Sequence, residues 1–542
     1  MSKPTASLAA RVPRWLRSPR WLALFAGAVL VLTFPDLNLE FLAWFGLVPG
    51  LLLIMRAQTA REGGIRAWWL GAGYLIAALY WMFPEIGPGV LLVAVVFGIL
   101  WIPFGVAAWS LLRPPGAGGV IGWRRALAAL VVVPSCWLLT EWLRSWQALG
   151  GPWAVFGVSQ WQHPAILALA SVGGVWLISF TLVLCNVAIV LVITTRRSVL
   201  VVVVGVVAAL AAIGSGPLAF ALTAPFPAVR QATIAMVQPG MVVTKQPEAS
   251  LALTTALSQD GTLAGVHPDL IVWGESSIPD DLFLAKYHAL LTQIEALSRE
   301  DGAEILVNQD TTPPGQGHEK WAVLVSPSGI KGYYIKTRLV PFGEYIPFRQ
   351  QLGWLTSISK AASSNMVPGP GAHLLQATDR EGKPLPIGVL ICFESAFPDM
   401  ARVDTDKGAQ LIVYQSATST FQGTWGPDQH ASLAAVRAAE TGRPVVQAAL
   451  TGDSVAFDAR GRQLDWLGQA GHGVLTVRLG LPAPSDRTLY DQWGDYVPWT
   501  AVGVSVLAAL ALLARRRGIL GKRAGAGDEH AAQYVAGESV PS

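Results

Sequence analysis

The chain has 542 residues, of which 52% are hydrophobic and only 14% charged, with a mean hydropathy of +0.44 and a formal net charge of +4. A soluble globular chain carries about 25% charged residues, so a wholly soluble protein is excluded and part of this chain belongs in lipid. Three cysteines in this length argue against a disulfide framework, and basic residues that only flank apolar runs give no support to nucleic-acid binding.

The first twenty residues form a basic arm with Lys3, Arg11, Arg14, Arg17 and Arg20, followed by an apolar run over 21–34. No small-residue cleavage site follows, and further apolar runs come at once, so this run reads as a retained span and not as a signal peptide. More spans are expected near 40–56, 67–83, 89–112, 126–143, 170–194 and 198–223, with a last one near 496–514. Each is close to the ~20 residues that cross a hydrocarbon core. The connections alternate in charge. Arg56, Arg61 and Arg66 mark one basic connection, Arg113, Arg124 and Arg125 the next, then Arg196 and Arg197, and finally Arg515 to Arg517 with Lys522 and Arg523. The intervening connections hold Asp36 and Glu40, then Glu85, then Arg144 alone. This positive-inside pattern predicts eight spans with both termini cytoplasmic. The expected layout is a cytoplasmic arm over 1–20, a membrane domain of seven helices over 21–225, an extracytoplasmic domain over 228–485, a last transmembrane helix over 496–515 and a disordered cytoplasmic tail over 516–542. The run Gly116-Ala-Gly-Gly119 reads as a flexible connection.

Within 228–485, short β-rich apolar runs recur at 233–237, 270–273, 304–307, 322–325, 332–335, 387–391 and 411–414. Helical patterns lie between some of them, at 285–299 and at 430–440, the latter stopped by Gly442 and Pro444. Pro327-Ser-Gly329 marks a hairpin turn. Strands alternating with helices predict an α/β layered domain.

Three polar residues close three of these strands: Glu275, Lys336 and Cys392. In open α/β sheets functional groups gather beyond the carboxyl ends of the strands, so the three can share a pocket. A carboxylate can take a thiol proton and an ammonium can hold an oxyanion, which makes Glu–Lys–Cys a complete set for acyl transfer. Cys392 stands where a strand gives way to a helix start at Phe397-Pro-Asp399, a position expected to lower the thiol pKa. Taken singly, each residue has a plainer reading: a buried structural cysteine, or a solvated charge at a strand end. His430, at a helix start, reads as a local hydrogen-bonding residue. No His/Cys/Asp group has metal-ligand spacing, so no metal and no cofactor are expected.

The flanking sequence weights the set. Tyr334-Ile-Lys336-Thr-Arg-Leu-Val-Pro-Phe-Gly-Glu344-Tyr-Ile-Pro347 resembles the lysine motif of the apolipoprotein N-acyltransferases, the membrane-bound branch of the nitrilase (carbon-nitrogen hydrolase) superfamily. Val272-Trp-Gly-Glu275-Ser-Ser-Ile-Pro279 is similar to that family's glutamate motif, and Ile391-Cys392-Phe-Glu394 to its nucleophile motif. Glu141-Trp-Leu-Arg144, Gly151-Pro-Trp153 and Gly157-Val-Ser-Gln160 resemble its periplasmic-side connection. The resemblance, over about 15–515, implies an α-helical multi-pass membrane domain plus an α/β nitrilase-like αββα sandwich. It implies Glu275 as general base, Lys336 as oxyanion stabiliser and Cys392 as nucleophile, with Glu344 and Glu394 in support. Glu344 is equally well read as a structural carboxylate that holds Lys336 or a loop amide.

Two departures stand out: Phe393 where the family often has Tyr, and Gln415-Ser-Ala-Thr-Ser-Thr-Phe421 where many members have an Asn-Asp-like pair. The second leaves the contacts of the substrate pocket open. The resemblance implies two steps in a bacterial plasma membrane. Cys392 takes an acyl chain from a phospholipid donor as a thioester, and the α-amino group of a diacylglyceryl-prolipoprotein then accepts it. Phe342, Ile346, Phe348, Trp354 and Leu355 would admit acyl chains or face the bilayer. The alternatives are a membrane-tethered amidase with the same three residues, which would need only one anchor, and a non-catalytic scaffold or transporter, which would place functional polar residues within the spans.

Overall fold

In the computed structural model, which describes residues 18–115, 119–240, 266–278, 281–313, 317–357 and 365–516 with a few positions between 251 and 258, the apolar N-terminal part is entirely helical. The expected arm over 1–17, most of the Gly116–Gly119 connection and the tail from 517 lie outside the described residues, and so does the side chain of Leu355. Among the described residues, five helices are long and apolar enough to cross a membrane: Gly89–Leu112, Trp123–Arg144, Pro164–Thr194, Val199–Leu222 and Tyr496–Ala514. The N-terminal region adds the shorter apolar helices Pro19–Thr33 and Glu40–Met55 and the helix Ala60–Ala78, whose first two turns carry Arg61, Glu62 and Arg66. The expected run over 21–34 tightens into a five-residue 3-10 turn, Val29–Thr33.

The Pro164–Thr194 helix begins six residues before the expected 170 and bends at Gly173 and Gly174, the latter at φ 68°. That bend releases backbone amides in mid-helix, where no carbonyl one turn back can receive them.

Among the described residues, the α/β domain holds twelve strands in two six-stranded sheets. In chain order they are β1 (Arg230–Gln238), β2 (Leu270–Trp273), β3 (Glu304–Thr311), β4 (Glu319–Ser326), β5 (Gly329–Ile335), β6 (Leu375–Thr378), β7 (Pro384–Ile391), β8 (Leu411–Ser416), β9 (Val445–Ala449), β10 (Ser454–Phe457), β11 (Gln463–Leu467) and β12 (Gly473–Leu481). One sheet has the order β12-β1-β2-β3-β4-β5, the other β11-β10-β9-β8-β7-β6. The central strands run parallel, β1-β2-β3 and β7-β8-β9, and the β4–β5 hairpin pairs Ser326 with Gly329 at the expected turn. Strands covered on both faces read as continuous apolar runs, which is why Leu-Ile-Val-Trp of β2 is wholly buried.

Apolar side chains from both sheets, among them Met236, Val272, Val389 and Val413, interlock as the inner core. On the outer face of the first sheet, Ile294 and Leu297 of the His288–Asp301 helix pack on Ile305 and Val307. The second sheet is covered by the Pro398–Asp406 and Gly426–Thr441 helices, giving the αββα sandwich. The Gly426–Thr441 helix is buried nearly all round because its far side meets the membrane helices. Leu433 and Ala435 share one core with Leu167 and Val175.

Candidate active site

Glu275 follows β2 through Gly274. A Cβ at Gly274 would lie 2.0 Å from the backbone nitrogen of Leu450, so the two sheets approach there too closely for any other residue. The Glu275 amide donates to Ser416 O across the sheets at 3.2 Å, and its Oε2 accepts from the Ala417 amide at 3.0 Å. Lys336 continues β5, with its amide on Lys320 O at 2.9 Å, and its side chain is fully buried. Its ammonium lies 2.6 Å from Glu344 Oε1 and 3.5 Å from Glu275 Oε1.

Cys392 ends β7 at φ +51°, a left-handed conformation that costs a non-glycine residue about 1–3 kcal/mol. Its carbonyl accepts from Ser395 Oγ at 2.8 Å and lies 3.1 Å from His430 Nε2. The Glu275 carboxylate stands beside the thiol. The three strand ends therefore do meet, as their positions predicted.

The electrostatics correct one expectation. Burial, with the Glu275 carboxylate beside it, pushes the Cys392 thiol up to about 12; it is not lowered. The reason is local: Cys392 opens a 3-10 turn, Cys392–Ala396, and the α-helix begins only at Pro398, so no helix N-terminus reaches the sulfur. Glu275 goes the other way. Burial opposes its charge, but Lys320 and Lys336 outweigh burial and hold the carboxyl at about 2. At rest the proton is on sulfur and the Glu275 carboxylate is ionised.

The supporting carboxylates have separate tasks. Glu344 joins both of the plainer readings: Oε1 receives Lys336 and Oε2 the Val340 amide at 2.9 Å. Glu394 does not face the thiol. Its Oε1 accepts from Tyr334 Oη, Thr337 N, Thr337 Oγ1 and Arg338 N at 2.7–3.0 Å, and its Oε2 from Ile391 N at 2.8 Å. It ties the lysine loop to the turn that carries Cys392. His430 keeps its local reading: it is buried under the cysteine turn, 3.0 Å from Ser395 Oγ and stacked on Trp153 at 14°. Sequence reasoning missed Lys320, whose ammonium is 3.0 Å from Glu275 Oε1. A lysine at the start of a strand looks like a solvated charge, and only its pairing opposite Lys336 places it here.

A cavity of about 190 Å³ runs from Cys392 into the membrane part. Its wall is shared: Leu79, Trp81 and Phe97 come from the N-terminal helices, and Phe342, Phe393 and Phe421 from the α/β domain. Phe393 therefore contributes an apolar ring, and the departing loop contributes Ala417, Thr418 and Phe421. Gln415 of that loop is buried and bridges the sheets, donating to Trp273 O at 2.9 Å and Leu306 O at 3.3 Å. Of the other apolar candidates, Ile346 is buried, while Phe348 and Trp354 are exposed. Glu141 and Arg144 are not in a transport path. Glu141 Oε1 accepts from the Phe156 amide at 2.7 Å and Arg144 donates to Ala154 O at 3.2 Å, folding the connection that covers the cavity. Among the described residues no His/Cys/Asp/Glu group could hold a metal ion.

Residues 26–188 match the apolipoprotein N-acyltransferase N-terminal domain, and residues 233–483 the carbon-nitrogen hydrolase domain. The apolipoprotein N-acyltransferase of Pseudomonas syringae pv. tomato is 30% identical over 93% of this chain and 99% of its own, and that of Sinorhizobium fredii is 32% identical over 84% of each. The chain belongs to the apolipoprotein N-acyltransferase family. It is an acyltransferase of the carbon-nitrogen hydrolase superfamily and a membrane protein. Among solved structures, the carbon-nitrogen hydrolase of Helicobacter pylori G27 is 15% identical with a TM-score of 0.36, covering 46% of this chain and 89% of its own. An amidase from Nesterenkonia sp. AN1 is 20% identical with a TM-score of 0.33, covering 48% and 96%.

Proposed function

We propose that this acyltransferase moves a fatty acyl chain from a membrane phospholipid to the α-amino group of the N-terminal S-diacylglyceryl-cysteine of lipoproteins, through a thioester on Cys392. In the first step the Cys392 thiol gives its proton to Glu275 while sulfur attacks the ester carbonyl. The Lys336 ammonium receives the oxyanion. Collapse breaks the ester C–O bond, and Glu275 returns the proton to the leaving lysophospholipid oxygen. In the second step the acceptor amine attacks the thioester carbonyl and Glu275 takes an amine proton. The C–S bond breaks, and sulfur leaves reprotonated.

The observation that carries this reading is the cavity at Cys392, built jointly by membrane helices and the α/β domain. A small polar amide has no use for such a wall, whereas an acyl chain buries about 0.8 kcal/mol per methylene there. The thiol held at about 12 beside an ionised carboxylate supports proton transfer during attack rather than a standing thiolate. The orientation that goes with this function puts the α/β domain on the outer face of the plasma membrane with both termini cytoplasmic, as the basic connections suggest. Both substrates are then lipid-anchored in the leaflet that the site overlooks.

The test is intact-mass analysis of the purified protein with a defined phospholipid, beside Cys392→Ala. The expected result is a fatty-acyl increment on the wild type only, discharged by a diacylated lipopeptide to give the N-acylated product. Discharge by water at the same rate would point to a hydrolase, and absence of any increment would overturn the reading.

A further inference from the structure

Glu275 is held by two lysines, and the reaction above uses only one. Lys320 Nζ lies 3.0 Å from Glu275 Oε1, 3.2 Å from Asp310 Oδ1 and 2.9 Å from Ser276 Oγ, with its side chain 11% exposed. A buried ammonium with three oxygens around it is not a solvated surface charge. The β4–β5 pairing aligns Trp321 with Ile335, so Lys320 and Lys336 are cross-strand neighbours. Like charges directly opposite one another are destabilising, and here Glu275 lies between them.

The charges around the thiol form two pairs. Lys336 is closest to Glu344, at 2.6 Å, and Lys320 is closest to Glu275. The other groups that sense this centre are Asp310, which is partly exposed with His318 3.9 Å away, the Cys392 thiol, and His430. Without Lys320, Lys336 alone would face both Glu275 and Glu344. Two buried carboxylates sharing one cation do not both stay ionised. Lys336 would also be drawn toward Glu275 and away from the substrate oxygen.

We propose that Lys320 is a positioning residue for the reaction, the counter-ion that keeps Glu275 ionised and in place and so leaves Lys336 to the oxyanion. This rests on reading Glu275 as the base and Cys392 as the nucleophile. Lys320 contacts Glu275 and stands opposite Lys336, so it acts through them and leaves substrate affinity alone.

The experiment follows thioester formation on Cys392 from a phospholipid by mass, across pH 4 to 9, in the full-length protein. The wild-type rate should show no acid limb in that range, since the Glu275 carboxyl lies at about 2. Lys320→Met removes an opposite charge within hydrogen-bond reach, which raises the Glu275 carboxyl by about 1–3 units. An acid limb should then appear below about pH 5, with kcat at neutral pH down about tenfold and KM unchanged. Lys320→Arg should abolish the limb again. Lys320→Gln, a neutral side chain that still donates to Ser276 and Asp310, should give the same limb and serves where the methionine variant disturbs folding. Neutral variants whose pH profile coincides with wild type would overturn the inference. Cys392→Ala and Glu275→Gln run in the same series separate the two levels. If they abolish thioester formation while the Lys320 variants behave as wild type, only the role of Lys320 falls. If Cys392→Ala still acquires the acyl group, the reading of the site falls.

Discussion

Glu440 of the α/β domain accepts a 2.7 Å hydrogen bond from the backbone amide of Val175, inside a helix of the membrane part. The bend at Gly174 turns the rest of the Pro164–Thr194 helix into a new helix start with orphan amides. A carboxylate at such a start is favoured by the helix dipole as well as by the hydrogen bond. The other oxygen of Glu440 receives Arg437 Nη1 at 2.6 Å, and both side chains are buried. Asp495, directly before the Tyr496–Ala514 helix, ties the start of that helix to two others of the membrane part, accepting from Trp142 Nε1 at 3.2 Å and Trp176 Nε1 at 3.1 Å.

Glu440→Ala strands Arg437 and the Val175 amide together. Removing one partner of a buried pair costs about 3–5 kcal/mol, so the melting temperature in detergent should fall clearly, and protease should cut between the α/β domain and the helices. Unchanged melting would show that the pair contributes nothing to docking.

Gly151→Ala should impair the active site from the membrane side. Gly151 has φ +74°, and a Cβ there would sit 2.7 Å from Phe393 Cζ and 3.0 Å from Phe397 Cζ. Strain of about 1–3 kcal/mol falls on the turn that carries Cys392. Thioester formation should slow several-fold, measured by single-turnover mass analysis, while overall helicity is retained.

How much of this was legible beforehand depends on whether the signal was local. Glu275, Lys336 and Cys392 could be read because each closes an apolar run, and all seven expected strands are present. The strands β6 and β9 to β12 were not read. β9 is five residues long and follows directly on the Gly442-Arg-Pro444 stop, and β11 is an edge strand with three exposed positions. Lys320 was illegible for a different reason, since its meaning lies in the register of β4 on β5. The lowered thiol pKa failed because the sequence shows a helix start without showing that a 3-10 turn intervenes.

Glu275→Gln should separate thiol acidity from catalysis. After burial, the Glu275 carboxylate is the next cause holding the thiol at about 12. Its removal should shift the pH midpoint of Cys392 alkylation by iodoacetamide downward while thioester formation from phospholipid is lost. If the alkylation midpoint does not move, the carboxylate is not what restrains the sulfur.

The same carboxylate sets an acid dependence of stability. Its pKa is about 2 in the folded protein against 4.5 for an unperturbed glutamate. A depressed folded value gives stability that is complete above about pH 4.5 and is lost as pH falls toward 2. The melting-temperature gap between wild type and Glu275→Gln should therefore be constant from pH 7 to 5 and narrow below about 4.5. A gap that is constant down to pH 3 would contradict it.

Ala148→Trp should discriminate donors by length. Ala148 lines the cavity, and an indole there shortens it. Long-chain phospholipid should lose about tenfold or more in acylation rate, which is about 1.4 kcal/mol, while a short-chain ester is affected little. Equal loss for both would mean that the cavity does not receive the chain.

The shared wall of Leu79, Trp81, Phe97 and Phe393 also decides what the enzyme need not do. A fifteen-methylene tail drawn alone into water would cost about 12 kcal/mol at about 0.8 kcal/mol per methylene, about two-thirds of the barrier of about 17 kcal/mol for a reaction running once per second. In the proposed transfer, sulfur at the end of an oily sleeve would instead be brought to the lipid, so the tail would change owners without ever becoming an aqueous solute.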